Sequence, residues 1–153
     1  MLSQNNLKEI KKIVEEFFRK TTFPMEIEIG AEKDETVPIG LTTEEPQILI
    51  GEGGQTLSEI QHLLKAILRK KIQENFYINL DINNYKKKKT EYLKEMARNA
   101  ADEVSLIKKE KALPAMPAYE RRIIHLELSN RSDVTTESTG EEPDRRIVVK
   151  PKV

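Results

Sequence analysis

Apolar side chains return every three or four positions between residues 6 and 20, at Leu7, Ile10, Ile13, Val14, Phe17 and Phe18. That spacing predicts an amphipathic helix, with Asn5 or Asn6 as its cap. The period then drops to two at Met25-Glu-Ile-Glu-Ile29, as in a half-buried strand. Residues 36–42 predict a second strand, in which Pro38 argues for an edge or a bulge. Glu44 to Ile50 has room for a turn or two of helix capped by Thr43. Gly51-Glu52-Gly53-Gly54 forms a tight turn, because three glycines in four positions destabilise any regular element. A helix follows at residues 55–73, carrying Leu57, Ile60, Leu63, Leu64, Ile67, Leu68 and Ile72. A strand comes next at Phe76 to Ile82. The first half therefore reads α-β-β-α-turn-α-β.

The second half opens on a long basic helix, from about Asn84 to Lys111, which Pro114 and Pro117 bring to an end. Tyr119 to Ser129 predicts a shorter helix. Val134–Thr136 and Arg146–Lys150 predict two strands joined by the acidic loop Ser138 to Asp144, which contains Gly140. The fold class is α+β in two modules, at about 1–83 and 112–153, with the basic helix 84–111 between them.

Composition narrows what such modules do. The 153 residues are 37% hydrophobic and 34% charged, with four Phe, four Tyr, no Trp and no Cys. A modest core under a charged surface fits, whereas disulfides and thiolate metal sites are excluded. Met1 to Lys20 lacks the apolar core of a signal peptide, and no run reaches the roughly 20 apolar residues of a membrane span. These features predict a cytoplasmic protein without membrane insertion. The formal net charge of zero conceals an asymmetry: residues 1–59 hold 6 Lys/Arg against 12 Asp/Glu, and residues 60–153 hold 20 against 14. A basic rear half hints at a polyanionic partner.

Three constellations carry candidate chemistry. The glycine turn, between two helices, lets a phosphodiester approach exposed backbone N–H groups; a plain helix–helix turn is the bland alternative. It is no Walker loop, since Gln55-Thr56 stands where Lys-Ser/Thr is required. Arg121 and His125 lie four apart on a helix and so share a face, where a guanidinium beside an imidazole suits phosphate. An exposed arginine and a half-buried histidine are the ordinary alternative. The run Lys86-Lys87-Lys88-Lys89 is either a solvated face or a nonspecific phosphate rail. Tyr85 and Tyr119 are the aromatics best placed to stack bases. His62 and His125 lack ligand-spaced partners, no serine sits in a Gly-x-Ser-x-Gly elbow, and no metal or cofactor is expected. Nothing in the chain argues for an enzyme.

The segment Met116 to His125, with Asp133 to Ser138, Gly140 to Pro143 and Arg145 to Lys152, closely resembles the R-3-H end of the bacterial Jag proteins, also called KhpB or EloR, the SpoIIIJ-associated family. The Leu49 to Leu57 segment and the Asp81 to Tyr85 stretch resemble that family's KH half, of type II topology. The resemblance implies a cytoplasmic binder of single-stranded RNA, or of single-stranded DNA, that acts in cell elongation and division. It also implies a small single-domain KH partner or self-association. Its backbone clamp falls on Gly51, Glu52, Gly53 and Gly54. Its phosphate-facing pair falls on Arg121 and His125, with Arg122, Ser138, Gly140 and Arg146 as weaker candidates. One departure stands out: Glu52 and Gly53 replace the basic residues usual between the loop glycines; the resemblance, over roughly residues 25–152, does not take in the family's small N-terminal domain. Glu52 favours a second reading, a protein-interaction module that dimerises through its KH half and binds RNA weakly or not at all.

Overall fold

A computed structural model describes residues 1–153. They form two compact units, Met1–Lys86 and Lys87–Val153, each with its own core.

The first unit contains α1 (Gln4–Lys20), β1 (Glu26–Ile29), β2 (Thr36–Thr42), α2 (Pro46–Ile50), a 3₁₀ turn at Glu52–Gly54, α3 (Gln55–Lys71) and β3 (Tyr77–Ile82). Its sheet has the order β1-β2-β3, with β1/β2 antiparallel and β2/β3 parallel. A parallel pair needs a crossover, which α2, the glycine turn and α3 supply. Alternation along β2 sends Val37, Ile39 and Leu41 inward, and along β3 Ile78, Leu80 and Ile82. They meet Ile10, Val14 and Phe18 of α1 and Leu57, Leu64 and Leu68 of α3, all 4% exposed or less.

Three local expectations are corrected. The cap of α1 is Ser3, whose hydroxyl accepts the Asn6 N–H at 3.2 Å; Asn5 and Asn6 already lie inside the helix. Thr43 does not cap α2, which starts after Glu45 with Pro46 in its first turn. Instead the Thr43 hydroxyl donates to the Pro24 carbonyl, and its backbone is gripped on both sides by the Asn83 amide. Pro38 lies in the central strand, not at an edge. Its carbonyl accepts from Gly30 N at 3.0 Å, so its own missing N–H faces the same way, one residue beyond the last β1 pair, Ile29 with Ile39. The ladder is ending there, and little is lost.

The second unit contains α4 (Tyr85–Ile107, which begins two residues before the unit boundary), β4 (Lys111–Ala112), α5 (Ala118–Leu128), β5 (Val134–Thr139) and β6 (Arg146–Pro151). Its antiparallel sheet has the order β4-β6-β5. The helix expected to bridge two modules is itself a wall of the second: Leu93, Ala97, Ala100, Ala101 and Val104 pack with Ile124, Leu128, Val134, Ile147 and Val149. It stops at Ile107, not Lys111, where Lys108 turns to φ 56° and the chain enters β4. Strand β5 extends to Thr139, into residues expected to be loop. No helix is long and apolar enough to cross a membrane.

Candidate nucleic-acid interface

The glycine turn divides by task. Gly51 (φ 73°), Gly53 (φ 61°) and Gly54 (φ 82°) all occupy left-handed backbone, where a Cβ is costly. At Gly51 a Cβ would also fall 2.7 Å from Thr56 Cβ, and at Gly54 it would fall 3.0 Å from Tyr85 Cε1, so both are packed from behind. Nothing lies within 4 Å of a Cβ placed on Gly53, and Glu52 is exposed. The open part of the turn is thus Glu52-Gly53, and its side chain is an acid. Tyr85, expected as a stacking surface, is packed against Gly54 and the first core.

The lysine run breaks up. Lys86 Nζ turns inward, donating to Gln61 Oε1 at 3.0 Å and Asn79 Oδ1 at 2.8 Å. Burial lowers its pKa, against the opposing pull of Asp81. Asp81 also accepts the Lys86 N–H at 3.1 Å, satisfying a free donor of the helix start. Lys89 lies 3.9 Å from Glu120 and above the Tyr92 ring at 5.6 Å. Lys87 and Lys88 are the exposed members.

On α5 the Arg121 and His125 side chains part company. Arg121 is buried, its Nη1 donating to the Met116 carbonyl at 2.7 Å and its Nη2 2.8 Å from Glu142 Oε1. His125 is exposed, with Nδ1 against the Thr136 hydroxyl, so the pair reverses the ordinary alternative of an exposed arginine and a half-buried histidine. Arg122 is exposed beside it. Tyr119 is 58% exposed, its hydroxyl 3.2 Å from Glu120 Oε1.

Strand alternation decides the rest. Val134, Thr136 and Ser138 share the inner face of β5, opposite Val149 and Ile147 of β6. Arg146 alternates with buried Ile147, so it stands on the other face of the sheet from α5, its Nε 3.3 Å from the Asp144 carbonyl. It does not join His125. Arg145 does come to that side, its Nε donating to Ser138 Oγ at 2.9 Å and its Nη1 to the Gly140 carbonyl at 2.8 Å. Reading the arginine pair against the alternation of β6 would have found it. The row runs His125 to Arg121 along α5 and Thr136 to Ser138 along β5, with a repeat of about 6–7 Å on each. No group of three or more His, Asp or Glu side chains is placed to hold a metal ion.

A glycine-turn α+β unit followed by a helix-and-sheet unit with Arg and His four apart defines a KH module joined to an R-3-H module. Family models agree: the KH domain model matches residues 9–91 and the R-3-H domain model residues 91–151. Among curated proteins, RNA-binding protein KhpB of Clostridium symbiosum is 37% identical over 128 residues, 82% of this chain and 58% of that protein. RNA-binding protein KhpB of Bacillus subtilis is 35% identical over 123 residues, 79% of this chain and 59% of that protein. That of Streptococcus pneumoniae (serotype 2) is 31% identical over 114 residues, covering 74% and 35%. The chain belongs to this family of KH and R-3-H proteins, the Jag or KhpB proteins. It spans about half the length of the curated relatives it matches.

Proposed function

We propose that this chain binds single-stranded nucleic acid, RNA in first place, through phosphate contacts of its R-3-H unit. The observation carrying this reading is the row of donors along α5 and the inner face of β5: exposed Arg122 and His125, the Thr136 and Ser138 hydroxyls, and the Arg121 and Arg145 guanidinium groups. Side chains of this kind, without a stacking platform beyond Tyr119, favour backbone contacts of low sequence preference. The relatives' printed name, RNA-binding protein, points the same way. No catalytic step is part of the proposal.

A salt titration with short single-stranded RNA and DNA tests it. Log affinity falls linearly with log salt, with a slope near 0.7 per phosphate; Arg122→Gln lowers that slope and His125→Gln lowers affinity. Binding that ignores salt, or both substitutions, overturns it; a preference for RNA over DNA reports contact with the 2′-hydroxyl.

A second reading applies to the first unit: interaction with a small KH protein or a second copy, with little RNA contact. The exposed Glu52 at the open part of the turn favours it. Family membership supports a cytoplasmic role in control of cell elongation and division, which a change of cell length on deletion of the gene would test.

A further inference from the structure

We propose that Glu142 occupies the phosphate position of Arg121 as a built-in competitor, which a phosphodiester must displace to bind. The inference rests on the reading of Arg121 and His125 as a phosphate site. Arg121 is the fixed member of the pair: its side chain is 10% exposed, and Nη1 is held by the Met116 carbonyl. Glu142 is the loose member, 59% exposed, on the loop between β5 and β6. That loop is tethered at its flanks, through Arg145 to Ser138 and Gly140 and through Asp144 N to the Glu141 carbonyl, while the Glu142 side chain is held only by the guanidinium. A carboxylate and a phosphodiester offer a guanidinium equivalent anionic oxygens. When Glu142 swings out, Nη2 is left uncovered while Nη1 stays anchored.

The exchange swaps one anion for another. Arg121 then contributes little to the salt dependence of the native chain, because its charge carries a carboxylate in place of a mobile counterion. Removing the carboxylate exposes the cation and adds a phosphate's worth of counterion release. The block is partial, since half-exposed ion pairs are weak.

The test uses the full chain, a labelled oligouridylate and a salt series, comparing the native protein with Glu142→Gln, Glu141→Gln and His125→Gln. Glu141 is exposed on the same loop but has no cation partner, so it reports the general effect of loop charge. The inference requires Glu142→Gln to bind about two- to five-fold more tightly at low salt, with a salt slope steeper by up to about 0.7. Glu141→Gln must gain less. An equal gain from Glu141→Gln overturns the competitor and leaves only a repulsive loop. No gain from Glu142→Gln while His125→Gln weakens binding also overturns it, yet keeps the phosphate site. No effect from either Glu142→Gln or His125→Gln removes site and competitor together.

Discussion

The three glycines of the turn share a backbone demand but differ in what a side chain would meet. Gly51→Ala adds a collision with Thr56 to the left-handed φ, whereas Gly53→Ala points into open space. Left-handed backbone alone costs about 1–2 kcal/mol, so Gly53→Ala should lower stability by that amount and Gly51→Ala by clearly more, as measured by thermal melting. Equal losses would mean that the Thr56 contact is unimportant. At Glu52 the question is charge. A carboxylate about 4 Å from a phosphate costs about 1 kcal/mol in water-like surroundings. Glu52→Lys should therefore tighten RNA binding by about 1–2 kcal/mol if the strand crosses the turn, the sum of one repulsion removed and one attraction added. An unchanged affinity would favour the interaction reading of this unit.

Long elements were legible because their periods repeat: α1, α3, α5 and β3 lie within a few residues of their sequence-based bounds. What escaped was anything set by a partner distant in sequence. Two residues cannot display a period, so β4 is visible only through its pairing with Val148 and Val149 of β6. Four consecutive lysines look equivalent in sequence, but the helical turn sends Lys86 onto Gln61 and Asn79 and leaves Lys87 and Lys88 in solvent. Lys86→Gln should thus lower stability by about 1 kcal/mol while leaving the salt slope of RNA binding unchanged. Lys87→Gln and Lys88→Gln should do the reverse, each reducing the slope by up to about 0.7. A loss of slope in Lys86→Gln would put that ammonium on the strand after all. Burial lowers the Lys86 pKa, so its charged form is the one folding disfavours. The first unit should therefore gain a little stability as pH rises toward about 10.4, the ordinary lysine value.

Across the molecule, the two cores differ in what surrounds them. Residues 1–86 carry 11 Lys/Arg against 14 Asp/Glu, and residues 87–153 carry 15 against 12, so the unit proposed to hold RNA is the basic one. Many of its charges are committed internally: Arg98 to Glu127, Lys150 to Glu137, and Arg131 to both Asp102 and Asp133. The last set joins α4 to the entrance of β5. Arg131 Nε and Nη2 grip the two Asp133 oxygens at 2.9 and 2.6 Å, and Nη1 donates to Asp102 at 2.7 Å. The hydrogen bonds from Arg131, then from Ser105, hold the Asp133 carboxyl well below the usual carboxylate range. A carboxyl depressed in the folded state adds stability above its unfolded value, about 3.9, and that contribution fades as pH falls below it. The second unit should therefore lose stability progressively below about pH 4. Asp133→Asn should already be less stable at neutral pH and should fall less steeply with acid. Melting curves of both proteins from neutral to strongly acidic pH decide it. Because Asp133 is not part of the donor row on α5 and β5, RNA affinity under conditions where both are folded should be unaltered. Parallel acid profiles for the two proteins would show that Arg131 and Asp133 do not hold the unit together, and an affinity loss in the folded variant would place this cluster in the binding surface.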